Sequence, residues 1–394
     1  MTSAGVTHTS DPGYTRLVLS RVLKHRGARF GLIWTGLLVL FSVFAPLFAS
    51  SHPLLIVNEG GLSSPMLRYL SAVDVILLLL FIFAAVLILI RYAVGRVYWS
   101  VVLVTLLISV VQSFYSISPP KLVVYEQYRQ DVQLLESQLV LMAPVPFSPK
   151  DYLRDAGDTG FLEPLESSIS THWLGTDENG ADVLSRMIHA SRIALGIGFV
   201  ATGIAMFVGV IIGGLMGYFS GVVDVIGMRL VEIFEAVPTL FLLLTFVAFF
   251  DRNIYLLMVI IGITSWPGYA RYVRAEYLRL REQEFVQAAV ICDLPLWSIL
   301  FRHILPNGIA PVLVAASFGV ASAILAESTL SFLGLGLVDD PSWGQMLNQA
   351  VQSSSFYWWM AFFPGGAIFL TVFSYNLIGD ALRDAIDPNS HKMS

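Results

Sequence analysis

The chain has 394 residues, of which 56% are hydrophobic and only 13% are charged, and its formal net charge is −5. Soluble domains carry roughly 25% charged residues, so this composition excludes a single globular core in water and predicts a polytopic membrane protein. The net charge is mild, and no basic cluster suggests a nucleic-acid partner. Because Cys292 is the only cysteine, an intrachain disulfide is also excluded.

Three apolar runs in the first part of the chain predict transmembrane helices. They lie at 30–49, 73–90 and 97–114. Basic residues ahead of the first run place the N-terminus in the cytoplasm, where they favour a topology anchor over an amphipathic surface helix. The first run lacks a small-residue cleavage site and is expected to be retained as a span. Arg91 and Arg96 flank the turn that follows the second run, which predicts a transmembrane hairpin, and Asp74 is expected at the membrane interface.

Residues 116–192 are predicted to form a long external segment. Apolar residues recur at steps of three and four between Val124 and Met142, which predicts an amphipathic helix. Beyond two prolines near residue 145 this pattern is lost in a stretch rich in Pro, Gly and Asp. A solvated cap is favoured there over an electrostatic contact with a partner.

The external segment ends in HWLGTDENGADVLSR at 172–186. Gly175 permits a turn, and Asp177 can accept hydrogen bonds from the backbone N–H groups that follow it. Residues 182–192 then predict a short helix that leads into the next span. Asp177 and Asp182 also allow a metal or hydrolytic site, but the pattern lacks further ligands at suitable spacing, which favours the turn.

Five further apolar runs predict spans at 193–218, 230–250, 254–270, 309–330 and 358–378. The many glycines of the first favour close packing against neighbouring helices. Pro267 predicts a kink, and Glu232 and Glu235 are expected to pair with Arg229 or with loop arginines. The stretch between the last two spans is either external or re-entrant. With these spans, most Lys and Arg residues lie in segments on the cytoplasmic side, which predicts eight spans with both termini in the cytoplasm.

The segment 275–307 is the longest charged insert between two spans of the second half. It predicts a helix over 275–291, a corner and a second helix at the cytoplasmic face. Asp293 is expected to cap the second helix, and the proline two residues later is compatible with its first turn. Ala288 and Ala289 are expected to be exposed, where their small side chains would let a partner approach the backbone.

This segment resembles the EAA loop of bacterial ABC-importer permeases, through FVQAAVICD at 285–293 and ILPN at 304–307. In that family the loop forms a coupling helix that docks into the ATP-hydrolysing subunit. The resemblance implies ATPase contacts from Glu284, Phe285, Gln287, Ala288, Ala289, Cys292, Asp293, Leu305 and Pro306. Two positions depart from the family, whose leading Glu is Gln287 here and whose usual Gly is Asp293. The corner is expected to persist because Asp tolerates left-handed backbone, whereas a salt bridge from the Glu is not carried over.

The 172–186 segment resembles the H-x-L-G-T-D-x-x-G-R-D-V-L-S-R motif of the C-type permeases of dipeptide and oligopeptide importers, with Ala181 in place of the family's Arg. LAESTLSFLGLG at 325–336 and the C-terminal GDALRDAIDP resemble the same branch. The matching motif residues are Leu174, Gly175, Thr176, Asp177, Gly180, Asp182, Arg186 and Glu327.

The resemblance implies an all-α, type I ABC-importer permease core, here with an extra N-terminal transmembrane hairpin. The expected regions are a cytoplasmic segment 1–29, a transmembrane region 30–115, an external segment 116–192, a permease core 193–380 with coupling loop 272–306, and a cytoplasmic tail 381–394. The extra hairpin is expected either to contact the binding protein or to pack at the periphery of the complex.

The implied function is that of a permease subunit in an ATP-driven, binding-protein-dependent peptide importer of the bacterial inner membrane. No G-x-x-x-x-G-K-[ST] sequence is present, so ATP and Mg²⁺ are expected in partner subunits. The implied partners are a second permease, two ATPase subunits, an external substrate-binding protein and membrane lipid. No catalytic, cofactor or metal residue is expected in this chain.

Two alternatives remain open. An ion-driven secondary transporter would need intramembrane acids and internal repeats; Glu327 is the one credible acid and no repeat is apparent. Within the ABC class, nickel or another peptide-like solute could replace peptides. An intramembrane hydrolase is not supported, because neither H-E-x-x-H nor G-x-S-x-G occurs.

Overall fold

The computed structural model describes residues 14–58, 61–90, 109, 112–113, 117, 125, 139–152, 160–166, 171–250, 253–337 and 340–386. The helices used below are α1 Tyr14–Lys24, α2 Arg26–Val43, α3 Ala45–Phe48, α4 Ala72–Ile90, α5 Val183–Phe219, α6 Gly221–Ala236, α7 Thr239–Phe249, α8 Ile254–Leu280, α9 Glu284–Ile291, α10 Leu296–Ser298, α11 Leu305–Phe332, α12 Trp343–Gln352 and α13 Trp358–Ile386. The strands are β1 Leu55–Asn58, β2 Gly61–Ser63 and β3 Leu139–Leu141. A 3₁₀ turn occupies Pro65–Tyr69 and a π-helical turn occupies Ile299–Ile304.

Five helical runs are long and apolar enough to cross a membrane, namely α2, α5, α8, α13 and the continuous run Leu296–Phe332. The pair α6 and α7 gives a sixth candidate, and α4 is a shorter apolar helix. The expected span at 97–114 lies almost wholly outside the described residues. A mostly helical, multi-span fold is therefore confirmed, while the total of eight spans and the inside–outside topology stay predictions.

The expected span at 230–250 is not one straight helix, because α6 and α7 meet at an angle of 78°; whether the bent pair crosses the membrane stays a prediction. Val237 is extended, with φ −91° and ψ 123°. The ring of Pro238 disfavours helical backbone at the residue before it, which ends α6. The apolar composition continues through the proline, so hydropathy alone did not reveal the break.

Helix boundaries around the charged insert also differ from the sequence expectation. α8 continues through Pro267 and past residue 270 to Leu280, and a turn then separates it from α9. The expected single helix over 275–291 is therefore wrong. Leu280 and Val286, on the two sides of the turn, are both buried, so the break lets each helix bury its own apolar side chain. The short helix expected over 182–192 is the first part of α5 and not a separate helix. The last expected span, 358–378, continues as α13 to Ile386.

One compact unit comprises Met1–Gly36, Ile197–Ala326 and Phe369–Ser394. Within it, α5 and α8 approach closely along a line of glycines. A Cβ added at Gly209 would come within 2.5 Å of the Tyr269 Cβ, and one added at Gly217 would come equally close to the Tyr277 Cβ. These contacts confirm the expected close packing through glycine.

The second compact unit comprises Leu37–Gly196 and Glu327–Ile368. Its sheet has the order β2-β1-β3 with antiparallel pairing, and Ile56 is opposite Val140. Leu139 therefore lies in a strand, which contradicts the end of the expected amphipathic helix; most of that helix lies outside the described residues. The three-residue run LVL pairs with β1, and it is too short for its apolar pattern to distinguish a strand from a helix.

Helix α4, from the expected extra hairpin, is ion-paired with α5 inside this second unit. Asp74 is buried, forms an ion pair with Arg192 and accepts hydrogen bonds from Ser71 N and Oγ at 2.7 Å. Arg192 Nε also donates to the Ser42 carbonyl at 2.6 Å. Asp74 is thus a buried anchor between α4 and α5, and its expected position at the membrane interface stays a prediction. These contacts support packing as a role for α4.

Candidate functional site

The short helix α9 presents two different faces. Val286 and Ala289 are buried and pack with Tyr277 and Ile304 in one apolar cluster. The opposite face exposes Glu284, Phe285, Gln287, Ala288, Val290, Ile291, Cys292 and Asp293. The expectation that Ala289 is exposed is therefore wrong, because a helix of eight residues must bury one side to stay in place. Ala288 keeps the exposed position expected for it.

The end of α9 is closed by a Schellman motif. Asp293 has φ +52°, Leu294 N donates to Ala289 O at 3.2 Å, and Asp293 N donates to Val290 O at 3.0 Å. This pattern satisfies the last carbonyls of the helix. The corner at Asp293 is as expected, but its side chain does not cap the next helix, because α10 begins after Pro295 without a side-chain cap.

The start of α9 is held by Gln287. Its side-chain amide donates to the Arg281 carbonyl at 3.1 Å, and Arg281 Nη1 donates to the Tyr218 carbonyl at 3.3 Å. An ionised Glu at position 287 has no proton to donate and could not make the first of these bonds. The departure from the family motif therefore creates a contact within the chain.

A π-helical turn follows the corner. The hydroxyl of Tyr277 donates to the Leu300 carbonyl at 2.9 Å, and Leu305 N donates to the same carbonyl. Pro306 lies two residues beyond this turn, inside the continuous run Leu296–Phe332, and has no N–H to donate to the preceding turn. Sequence reasoning missed Tyr277. The available signal is that Tyr269 and Tyr277 on α8 are eight residues apart, as are Gly209 and Gly217 on α5, the glycines against which these two tyrosines pack.

Ion pairs surround this segment. They join Asp224 to Arg274, Glu235 to Arg271, Glu232 to Arg229, Glu276 to Arg279 and Glu282 to Arg281. The expected pairings of Glu232 and Glu235 are confirmed. The partly buried pair between Asp224 and Arg274 uses both carboxylate oxygens, with Nη2 to Oδ2 at 2.6 Å, and joins α6 to α8. Such a bidentate pair fixes orientation better than the exposed pairs around it.

The external motif folds as a buried corner around Asp177. Its Oδ1 accepts hydrogen bonds from Asn179 N and Ala181 N, both at 2.9 Å, and its Oδ2 pairs with Arg186. Asp177 and Arg186 are both almost completely buried. The expected turn is thereby confirmed.

Asp182 begins α5 and is paired with His172. The His172 Nδ1 lies 2.9 Å from Asp182 Oδ2, and Ser185 N donates to Oδ1 at 2.7 Å, as at a helix N-terminus. Among the described residues no group of three His, Cys, Asp or Glu side chains is placed to hold a metal ion. Both aspartates have structural partners, which accounts for them without a hydrolytic site.

The remaining motif residues complete the corner. Thr176 Oγ1 accepts from Leu162 N at 2.7 Å, and the Thr176 carbonyl accepts from Trp359 Nε1 at 3.1 Å. Gly175 has φ +79°, and a Cβ there would approach the Leu162 carbonyl within 2.7 Å. Leu174 packs against the cluster of Val183, Met346 and Trp359, and Gly180 has φ +74°. Only glycine suits both the conformation and the space at position 175.

Glu327 is fully buried and accepts hydrogen bonds from nearby serines. Ser331 Oγ donates to it at 2.6 Å and Ser328 Oγ at 3.4 Å. Gly336 and Gly344 pack onto these two serines without room for a side chain. These two glycines thus let the chain pack directly against the serines that bond to Glu327.

Comparison with known proteins places these features in a family. Residues 209–392 match the model of the binding-protein-dependent transport system inner membrane component, and residues 13–59 match the N-terminal TM domain of oligopeptide transport permease C. The oligopeptide transport system permease protein OppC of Haemophilus influenzae is 41% identical over 232 residues, which cover 59% of this chain and 75% of the relative. The chain belongs to this permease family.

Two further relatives are similar to this chain over most of their own length. The dipeptide permease DppC of Alkalihalophilus pseudofirmus is 37% identical over 61% of this chain and 80% of its own length. The glutathione permease GsiD of Pectobacterium atrosepticum is 39% identical over 57% of this chain and 74% of its own length. This permease is therefore a multi-pass inner-membrane protein and a transport subunit of an ABC importer, whose ATPase is separate.

Proposed function

We propose that this permease forms half of the path through which an ATP-driven importer moves short peptides. A second permease completes the path, two ATPase subunits bind ATP and Mg²⁺, and an external binding protein delivers the peptide. The names of the relatives support the substrate class, because oligopeptides, dipeptides and glutathione are all peptides. The total of eight spans and the cytoplasmic position of the coupling loop belong to the same proposal.

The observation that carries this proposal is the two-faced helix α9. Its exposed face combines Phe285, Ala288 and Ile291, with Ile291 84% exposed. Exposed apolar side chains around a small residue suit a partner that packs closely against the helix. The matching family positions are those of the coupling helix, so the proposed partner is the ATPase.

The fixed ends of α9 explain how force could pass through it. Gln287 holds the first turn to the end of α8, Asp293 shapes the corner, and the apolar cluster around Val286 and Ala289 fixes the buried face. ATP-driven closure of the ATPase would move α9 together with α8 and α11, which share its apolar cluster. Substrate would then be released inward by alternating access.

Cys292 gives a direct test, because it is the only cysteine and is exposed at the end of α9. Purified importer should resist maleimide labelling at Cys292 while the ATPase is bound and become labelled when the ATPase is stripped away. Ala288→Arg should abolish ATPase co-purification and uptake of tri-alanine, whereas Ala288→Ser should preserve both.

Two outcomes would contradict the proposal. One is equal labelling of Cys292 in complexes with and without ATPase. The other is normal assembly of Ala288→Arg with the ATPase together with normal uptake. Competition of tri-alanine uptake by nickel would test the alternative substrate.

A further inference from the structure

A cavity of about 270 Å³ opens between α5, α8 and α11. Its wall combines small residues with five hydroxyl groups, from Thr202, Ser265, Tyr269, Tyr272 and Ser322. None of the residues that line it is charged. The volume is just below the range of roughly 300–1,000 Å³ found for ligand pockets, as suits one wall of a larger path.

The α8 side of this cavity is a distinct face of the helix. Ser265, Tyr269 and Tyr272 follow one another at steps of three and four and so share a side. Nearer the start of the same helix, exposed residues such as Val259 and Ile263 are large and apolar. Large apolar side chains suit contact with lipid, whereas the hydroxyl-bearing face is suited to a polar ligand.

One hydroxyl in the wall has capacity for a further hydrogen bond. Thr202 is only 6% exposed, and its Oγ1 makes no hydrogen bond of normal geometry among the described residues, although it interacts with the Tyr269 hydroxyl. A hydroxyl group can donate one hydrogen bond and accept two. A ligand in the cavity could therefore bond to Thr202 beside Tyr269.

The neighbouring tyrosine is held in place beside Thr202. The Tyr269 hydroxyl donates to the Ala315 carbonyl at 3.5 Å. A Cβ at Gly319 would overlap the Tyr269 hydroxyl, so only glycine leaves room for the ring in this position. The two hydroxyls therefore sit in a defined place in the wall.

Building on the proposed import of peptides, we propose that this cavity holds the backbone of the peptide during passage. Hydroxyl groups can donate to peptide carbonyls and accept from peptide N–H groups. An uncharged wall places no requirement on the charge of the peptide's side chains. Thr202 is the residue assigned to a direct hydrogen bond with the peptide backbone.

The test uses the complete importer in proteoliposomes with tri-alanine as the probe. Ser322→Trp fills the cavity and is expected to lower uptake at least tenfold while ATPase assembly is kept. Its matched control is Leu313→Trp on the exposed face of the same helix, which should stay within twofold of the parent. Thr202→Val removes the hydroxyl at constant shape and should raise KM at least threefold, whereas Thr202→Ser should restore it.

Different failures are distinguishable. If the parent importer transports tri-alanine but Ser322→Trp matches Leu313→Trp, the cavity is not on the path. If Ser322→Trp fails to assemble, Thr202→Val decides, and an unchanged KM overturns the proposal. If the parent importer does not take up tri-alanine at all, the proposed function fails and this inference fails with it.

Discussion

The buried pair between Asp177 and Arg186 is expected to stabilise the external motif strongly. Both side chains are almost inaccessible, so removing one partner leaves the other as an uncompensated buried charge. Such a loss costs about 3–5 kcal/mol. Asp177→Asn keeps an oxygen for the N–H groups of Asn179 and Ala181, so we expect a loss of about 3 kcal/mol from the charge alone.

Asp177→Ala removes the oxygen as well as the charge. Two charge-assisted hydrogen bonds at 2.9 Å are lost, and these are worth about 1.5 kcal/mol or more each. We therefore expect a loss of about 6 kcal/mol, twice that of Asp177→Asn. Arg186→Met should cost about 3 kcal/mol, because the carboxylate keeps its backbone donors.

The assay is unfolding of the purified chain by SDS titration, followed by tryptophan fluorescence. The double variant Asp177→Asn with Arg186→Met leaves no unpaired charge and should recover about 2 kcal/mol or more relative to the sum of the single variants. Additivity within about 0.5 kcal/mol would refute the reasoning. An Asp177→Asn variant as stable as the parent would refute it equally.

Asp293→Gly should raise the free energy of unfolding by ~1 kcal/mol and Asp293→Val should lower it by about as much, because φ is +52° there; equal stability of the two variants would contradict this. Gly217→Ala should cost about 1–3 kcal/mol, whereas Gly203→Ala, with nothing within 4 Å, should not destabilise; melting temperatures compare them. Burial lowers the pKa of His52 to about 4 from 6.5, so stability should fall by at most about 3 kcal/mol as the pH drops from 6.5 to 4. His52→Phe, which keeps the stacking on Tyr69, should flatten that pH profile, and an unchanged slope would exclude His52 as its source.

The parts of the fold that sequence reasoning predicted are those governed by composition and by local turn chemistry. Apolar runs identified helices, and the glycines of α5 predicted close helix packing, for which the structure supplies α8 as the partner. The corner at Asp177 was predictable because an Asp side chain bonds to the backbone just after it. These signals come from residues that are close together in the sequence, so they can be recognised without the structure.

The wrong predictions have a different cause. Each concerns a feature that is decided by the residues packed against it in three dimensions. Ala288 and Ala289 are adjacent and identical, yet the cluster around Tyr277 and Ile304 buries only Ala289. Residues 275–291 have good helix-forming composition, but burial of Leu280 and Val286 on either side of a turn decides the break. Tertiary packing overrides propensity at such positions. The pairing of Asp74 with Arg192 likewise joins residues far apart in sequence.

The two departures from the family motif fall at opposite ends of α9, and each concerns the backbone. Gln287 donates to the carbonyl of Arg281, which a carboxylate could not do. Asp293 takes the left-handed position that the family gives to glycine, and the hydrogen bonds of the corner still form. Neither substitution changes the exposed face made by Phe285, Ala288 and Ile291. The proposed docking surface is therefore left intact while its attachment to the chain differs, so loss of coupling is expected from changes at Ala288 before changes at either end.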